Sequence, residues 1–305
     1  GVLRTIVEPE HMKKIQVLHS YYLKKAKVIV GWADEVGKDF VKIKGKKFVF
    51  DYLAICAGSS YNAPFKEGVV VATRAKTLWE CSSKLKDAKQ VLIIGGGLVG
   101  VELAGEICWR YPEKKIIIVH SVDRLIQRNN EKAIKYAERF LKKKGVEMVF
   151  NELVVKSRKG KYFTDKGREI SADMAFLCTG IISNADFMKK NFPDSLNEKK
   201  QIKVNEFLQV NGNENIFVAG DVNSIIEEKT AQNAERQAEV AVHNILAVEN
   251  KGKTKSYKSE QTPMVISLGK YNGVFVSKHL TCGGFLAGIL KWIVEKKEMW
   301  KKRFI

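Results

Sequence analysis

The sequence is poor in cysteine and proline, and the shortage of cysteine excludes several classes of protein. Its 305 residues include only 5 Cys and 5 Pro. No two cysteines stand in a CxxC pair, so the chain encodes neither a zinc knuckle nor a dithiol redox centre. We therefore predict no metal site, no disulfide framework and a reducing, cytoplasmic compartment.

Long apolar runs are also missing. The longest, CGGFLAGILKWIV at 282–294, is too short to cross a bilayer and carries Lys291. The first residues, GVLRTIVEPEHMKK, are charged throughout and do not read as a signal peptide. We expect no membrane-spanning helix.

The chain carries a large excess of positive charge. Lys and Arg number 53 against 34 Asp and Glu, which gives a net charge of +19. Such a surface favours anionic lipid, nucleic acid or phosphorylated ligands, but a basic solvated surface without a specific partner is an equal alternative. No nucleic-acid-binding motif accompanies the charge, so a nucleic-acid partner stays open.

Aliphatic residues run directly into a glycine turn at 91–100, which reads VLIIGGGLVG. Gly95, Gly97 and Gly100 form a GxGxxG motif between a strand pattern and a helix pattern that begins near Leu98. The first glycine permits the tight turn, the second lets a pyrophosphate approach the backbone, and the third lets helix and strand pack closely. The free N–H groups of the helix start attract phosphate. The motif predicts a dinucleotide site.

The end of the next strand bears on the choice between NADH and NADPH. An NAD-selective site has an acidic residue there to bind the ribose 2′-hydroxyl. Here the strand ends in His120, so no carboxylate repels a 2′-phosphate and we expect both nucleotides to bind. His120 and Arg124 are candidate nucleotide contacts. A plain strand-end histidine and a solvated arginine are the alternatives.

Three further positions could serve the cofactors. Glu102, four residues before Glu106 on one helix face, lies either near the nicotinamide or only near the positive helix start. Thr179-Gly180 and Gly220-Asp221 each follow a buried strand, where glycine lets backbone approach a ligand. Asp221 either accepts from flavin hydroxyls or caps the helix that follows.

The periodicity divides the chain into four segments. Residues 13–53 alternate with period two and predict a β-meander, whereas the pattern after residue 90 is βαβ and predicts a doubly wound sheet. We expect an α/β fold with a dinucleotide-binding domain and a small α+β piece. The segments are 1–78 (with the meander), 79–186 (nucleotide domain), 187–250 and 251–305 (C-terminal α+β).

Several stretches together resemble one family. IIGGGLVGVELAGEI, YPEKKIIIVHS, LCTGI, VNEFLQVNGNENIFVAGDV and SLGKYNGVFV are similar to the two-dinucleotide-domain flavoproteins of the pyridine nucleotide-disulfide oxidoreductase superfamily. Within it the chain resembles the ferroptosis-suppressor and apoptosis-inducing-factor-like branch. TAQNAERQAEVAVHNI is also similar to the flavin-facing helix of type II NADH dehydrogenases. The resemblance implies two dinucleotide-binding domains, with 1–78 and 187–250 together forming the flavin domain. It also implies FAD beside NADH or NADPH, and a quinone as electron acceptor.

The resemblance also implies roles for particular residues. The glycine turn would hold the NAD(P)H pyrophosphate, with Glu102 beside the nicotinamide and Gln232 near the quinone as the catalytic pair. Type II dehydrogenases carry a second glutamine four residues on, where this chain has Arg236 and then Gln237. The remaining cofactor-binding positions implied are Thr179 and Gly180 at the nucleotide, and Ala57, Gly58, Ser59, Gly220, Asp221, Thr230 and Ala231 at the flavin.

Only one glycine turn of this kind occurs in the sequence. The family has another near its N-terminus, for FAD, and residues 1–60 supply none. We therefore expect that the chain begins after that unit, that its flavin domain is incomplete, and that it binds NAD(P)H better than FAD.

The last predictions concern partners. The C-terminal GFLAGILKWIVEKKEMWKKRFI suits a membrane interface, which would place the protein peripherally on a lipid droplet or the mitochondrial outer face. A terminal helix packed on the flavin domain or in a homodimer is the alternative. Two other functions stay open: a non-catalytic nucleotide-responsive module that binds nucleic acid or protein, and a related reductase with an acceptor such as monodehydroascorbate.

Overall fold

The computed structural model describes residues 2–61, 80–260 and 262–303. The chain forms two compact units. The first unit comprises Gly1–Lys27, Tyr61–Gly180 and Pro263–Ile305, and the second comprises Val28–Ser60 and Ile181–Thr262. The four segments expected from the sequence stay a prediction.

A four-stranded parallel sheet forms the centre of the first unit. Its order is β12-β6-β7-β8, with β6 at Gln90–Ile94, β7 at Lys115–His120, β8 at Glu147–Phe150 and β12 at Met174–Leu177. Successive residues of β6 pack into different apolar clusters, Leu92 into one and Val91 and Ile93 into another. Because side chains alternate across a strand, both faces are covered, which explains why these strands read as continuous apolar runs.

Two helices connect the strands of this sheet. Helix α5, Leu98–Arg110, runs between β6 and β7, and helix α6, Glu131–Lys143, runs between β7 and β8. The side chain of Asn130 caps α6 by accepting from the Ala133 N–H at 3.0 Å. The βαβαβ pattern expected from the sequence is present. A three-stranded antiparallel sheet follows, made of β9 Val154–Arg158, β10 Lys161–Thr164 and β11 Glu169–Ser171.

The ends of the chain complete the first unit. The C-terminal part is an antiparallel sheet of β16 Met264–Ser267, β17 Gly273–Val276 and β18 Thr281–Gly284, covered by α8 Phe285–Arg303. The N-terminal part is helical, and residues 80–87 form helix α4. The prediction of strand at 13–22 is therefore wrong. The three short N-terminal helices are α1 Arg4–Val7, α2 Met12–Ile15 and α3 His19–Tyr22.

The second unit contains the expected meander and a second parallel strand pair. The meander is β1 Ala33–Val36, β2 Phe40–Ile43 and β3 Lys46–Val49. Strand β4, Leu53–Ile55, runs parallel to β15, Asn213–Val218, which also pairs with β14, Gln209–Val210. Helix α7, Ala231–Glu249, packs on β15. A ladder of β5 Ser59–Tyr61 and β13 Ile181–Ser183 completes the strands.

The α/β class expected from the sequence is confirmed by this architecture. The C-terminal α+β arrangement is also present. Its helix, α8, packs on β16–β18 within the first unit. Among the described residues, no helix is both long enough and apolar enough to span a bilayer.

Candidate functional site

Close backbone contacts fix the glycine turn between β6 and α5. The Gly95 N–H donates to the Val119 carbonyl at 2.8 Å, and Gly95 has φ +111°, a conformation that favours glycine. A Cβ at Gly95 would lie 2.5 Å from the Cys178 carbonyl oxygen. A Cβ at Gly100 would lie 2.0 Å from the Gly95 carbonyl oxygen. The first and third glycines of the motif are therefore required by packing.

The middle glycine has a different environment. A Cβ at Gly97 would meet no atom within 4 Å, so the turn is open at this point. Gly97 is the N-cap of α5, and no described side chain caps the helix there. The N–H groups at the start of α5, from Leu98 on, thus have no intrahelical acceptor. This open cradle of N–H groups fits the pyrophosphate of a dinucleotide.

The turn after β12 lies against the same glycine. The Cys178 N–H donates to the Ile94 carbonyl at 2.7 Å, which carries the chain past the end of β6. Thr179 and Gly180 follow and are exposed, and Gly180 has φ +118°. The structure thus brings Thr179-Gly180 to the glycine turn. Their contact with the nucleotide stays a prediction.

His120 supports the glycine turn from the end of β7. Its Nδ1 accepts the Gly96 N–H at 3.1 Å, so in the neutral ring the proton is on Nε2. Burial lowers the pKa of His120, and its buried Nε2 has no hydrogen-bond partner among the residues that the structure describes. The sequence predicted a nucleotide contact, which stays untested. The contact with Gly96 is an additional role that the sequence did not indicate.

Arg124 is engaged within the protein. Its guanidinium pairs with Glu131, the first residue of α6, and lies 3.8 Å from a carboxylate oxygen of Glu138. The hydrogen bond with Glu131 raises the pKa of Arg124. A bound 2′-phosphate would have to compete with these carboxylates, and that role stays a prediction.

Glu102 binds a strand that lies far away in the sequence. Its Oε1 accepts the Ser267 N–H at 2.8 Å, which joins α5 to β16. Neither of the two roles expected for Glu102, at the nicotinamide or at the helix start, anticipated this contact.

The second unit brings together the residues expected at the flavin. Because β4 and β15 are parallel neighbours, the turns that follow them are adjacent, and the Ala219 N–H donates to the Ile55 carbonyl at 3.0 Å. The Ser59 hydroxyl donates to the Asp221 carboxylate at 2.6 Å. Gly220 has φ +83° and Gly58 has φ +64°.

Asn184 secures the first of these turns, and the sequence did not indicate it. Its side-chain Nδ2 donates to the Ala57 carbonyl at 2.9 Å, and its backbone N–H donates to the Gly58 carbonyl at 3.1 Å.

The start of α7 lies beside the Asp221 turn. Thr230 is the N-cap, and its hydroxyl accepts the Asn233 N–H at 3.3 Å. Ala231 and Gln232 begin the helix and are exposed. Their contact with a flavin, like that of Asp221, stays a prediction. No second glycine turn of the α5 kind occurs in the described residues.

Gln237 supports the Gly220 turn, a role that the sequence analysis did not give it. Its Oε1 accepts from the Gly220 N–H at 2.7 Å and from the Asn223 side chain at 2.6 Å. Its amide donates to Glu227, which also accepts from the Tyr257 hydroxyl at 2.9 Å. Gln237 is only 1% exposed and therefore anchors the turn from beneath. A polar residue on the apolar face of α7 is the signal that could have identified it.

A parallel sheet with an open glycine turn, and a second parallel strand pair with an acidic turn, place the protein among the dinucleotide-binding oxidoreductases. The chain belongs to the pyridine nucleotide-disulphide oxidoreductase family, whose model matches residues 2–241. It is thus an NAD(P)H-dependent flavin oxidoreductase whose cofactors are FAD and NAD(P)H. The resemblance seen in the sequence is confirmed.

Two curated relatives illustrate the relationship. The chain is 33% identical over 324 residues to apoptosis-inducing factor homolog B of Dictyostelium discoideum, covering 95% of this chain and 84% of that protein. It is 28% identical over 289 residues to human ferroptosis suppressor protein 1, covering 90% and 77%. Among solved structures, the sulfide:quinone oxidoreductase of Aquifex aeolicus superposes with a TM-score of 0.79 at 20% identity, covering 99% of this chain and 82% of that one. This likeness concerns the fold.

Proposed function

We propose that the protein passes electrons from NAD(P)H, through a flavin, to a quinone. The observation that carries this proposal is the state of the cysteines. Burial raises the pKa of Cys81 and Cys108 to about 11 and that of Cys178 to about 12, so these thiols are protonated at neutral pH. A thiolate is the reactive form, and the sequence contains neither a CxxC nor a CxxxxC pair. The two exposed cysteines, Cys56 and Cys282, lie far apart in the sequence. The electrons therefore have no dithiol relay within the chain and pass directly to a diffusible acceptor.

A quinone is the acceptor that the resemblance seen in the sequence implies. The chain belongs to the same family as ferroptosis suppressor protein 1, and the same fold occurs in a sulfide:quinone oxidoreductase. The glycine turn would hold the NAD(P)H pyrophosphate and Glu102 would adjoin the nicotinamide. Asp221 and Ser59 would bind the ribityl side of the flavin, with Gln232 near the quinone. Bound together, the cofactors supply hydride transfer from the nicotinamide and onward electron transfer.

The sequence leaves two alternatives for the C-terminal segment, a membrane contact and a homodimer, and both would use the same exposed surface of α8. Helix α8 exposes several apolar side chains at helical spacing, and Leu286 is 78% exposed. Its 19 residues contain mostly basic charges, which suit an anionic bilayer. Sedimentation with and without anionic vesicles separates the two contacts. The exposed apolar residues of α8 are Phe285, Leu286, Ile289, Trp292, Ile293, Val294 and Trp300.

An acceptor panel tests the proposed function. The FAD-loaded protein is supplied with NADH and either a soluble ubiquinone analogue, monodehydroascorbate or a disulfide. We expect rapid NADH oxidation with the quinone and little with the other two. Faster turnover with monodehydroascorbate would assign the other acceptor, and no turnover with any acceptor would contradict the proposal.

A further inference from the structure

Ser267 joins two glutamates of α5. Its backbone N–H donates to Glu102 Oε1 at 2.8 Å, and its hydroxyl lies 2.9 Å from Glu106 Oε1. The two glutamates are one helical turn apart and share a face. A single residue of β16 therefore contacts both carboxylates.

The Glu106 carboxylate is the centre of a buried ionic cluster. Glu106 and Ser267 are each 1% exposed, and Arg4 is 6% exposed. Arg4 Nη2 and Lys291 Nζ each lie 3.1 Å from Glu106 Oε1, and Lys291 also donates to the Ser267 hydroxyl. Because Lys291 occupies a lone pair of that hydroxyl, its proton has two acceptors in reach, the Glu106 carboxylate at 2.9 Å and the Gly269 carbonyl at 3.3 Å. The shorter distance and the charge favour Glu106.

Arg4 and Lys291 place two positive charges at the Glu106 carboxylate. Arg4 also faces a second carboxylate, Glu295 of α8: burial opposes the charge of Glu295, but its hydrogen bond with His11 and the nearby Arg4 lower its pKa to about 2. The Glu102 carboxylate is linked to this cluster through the Ser267 N–H. The cluster connects α1, α5, β16 and α8 within the first unit.

We propose that Lys291, Glu106 and Ser267 are positioning residues that hold the Glu102 carboxylate toward the nicotinamide. Lys291 fixes the Ser267 hydroxyl against Glu106, and this fixes the Ser267 N–H that holds Glu102. The inference rests on the proposed function, in which Glu102 adjoins the nicotinamide. It adds that the C-terminal helix sets the nucleotide geometry through one lysine.

A double-mutant cycle on nucleotide affinity tests the inference. Calorimetry gives the dissociation constants of NADH and of ADP-ribose, which has the pyrophosphate but no nicotinamide. The proteins are the wild type, Glu102→Ala, Lys291→Met and the double variant. We expect Lys291→Met to weaken the binding of NADH about threefold to tenfold and to leave the dissociation constant of ADP-ribose unchanged. Only the contact with the nicotinamide end is disturbed. In the Glu102→Ala background the same change should have no effect on NADH.

Two further variants separate positioning from folding. Lys291→Arg keeps the charge and should restore most of the NADH affinity, whereas Lys297→Met alters an exposed lysine of the same helix and should change nothing. Two results would overturn the positioning role. One is that Lys291→Met weakens the binding of NADH and of ADP-ribose equally, and the other is that it has the same effect in the wild-type and Glu102→Ala proteins. A wild-type protein that binds neither ligand would instead overturn the proposed function, and the positioning role with it.

Discussion

Replacing Gly97 by alanine should separate nucleotide binding from folding. Gly97 has φ −72° and ψ −175°, which alanine adopts readily, and a Cβ there would meet no atom within 4 Å. Because alanine restricts the unfolded chain, the folded protein should be unchanged or stabilised by about 0.4–1 kcal/mol. The new methyl group would nevertheless stand where a pyrophosphate approaches the backbone.

The loss of affinity follows from the contacts that this methyl group would block. A hydrogen bond to a charged group contributes about 1.5–3 kcal/mol. Losing one such contact should weaken NADH binding by about tenfold to a hundredfold. Calorimetry gives the dissociation constant, and a thermal melt of the same sample gives the stability.

Gly100→Ala is the matched control in the same motif. Its Cβ would lie 2.0 Å from the Gly95 carbonyl oxygen, and a backbone atom cannot move aside cheaply. This variant should lose about 1–3 kcal/mol of folding free energy. If Gly97→Ala bound NADH as tightly as the wild type, the assignment of the turn to the nucleotide would be refuted. If Gly100→Ala melted like the wild type, the packing argument would fail.

Three other predictions concern stability and the acceptor site. Burial lowers the pKa of His120, so the folded protein should lose stability as the pH falls below about 6.5, where an unfolded histidine gains a proton; His120→Asn should flatten this part of a stability-against-pH curve. Glu106→Ala leaves the buried Arg4 and the partly buried Lys291 without this carboxylate and should cost about 3–5 kcal/mol in urea denaturation; a loss under 1 kcal/mol would contradict the cluster. Gln237→Leu leaves the Gly220 N–H without its acceptor and should lower the free energy of unfolding by about 1–3 kcal/mol. Gln232→Leu, on the exposed face of α7, should leave stability unchanged and raise the quinone KM.

The pKa of Glu106 is lowered by neighbouring cations, whereas that of His120 is lowered by burial. Burial opposes the charge of Glu106, yet Lys291 and Arg4 outweigh burial and lower its pKa. A carboxyl group with a lowered pKa contributes stability above its unfolded pKa of about 4.3, and this stability is lost as the pH falls through the folded pKa. Acid unfolding should therefore begin at a higher pH when Lys291 is replaced by methionine.

The glycine turn was predictable because its signal is local. A strand pattern, three glycines and a helix pattern lie within 91–110, and the same backbone constraints recur wherever a dinucleotide is bound. The adjacency of the Ser59 and Asp221 turns could not be predicted from a local signal. Their residues lie 162 positions apart, and only the resemblance to a family placed both at the flavin before the parallel pairing of β4 and β15 was known.

The supporting contacts could not be predicted from the sequence. The hydrogen bond between His120 and Gly96 depends on the register of β6 and β7, and the contact between Glu102 and Ser267 joins residues 165 positions apart. The strand predicted at 13–22 failed for a different reason. Two helices of four residues each, α2 and α3, are too short to display a helical period.

The most direct test of the central claim is anaerobic reduction of the flavin. The FAD-loaded protein is mixed with NADH or NADPH without oxygen, and the visible flavin absorbance is followed. We expect that either nucleotide bleaches this absorbance and that an added quinone restores it. An absorbance unchanged by both nucleotides, in a protein that retains bound FAD, would contradict the assignment of the chain as an NAD(P)H-dependent flavin oxidoreductase.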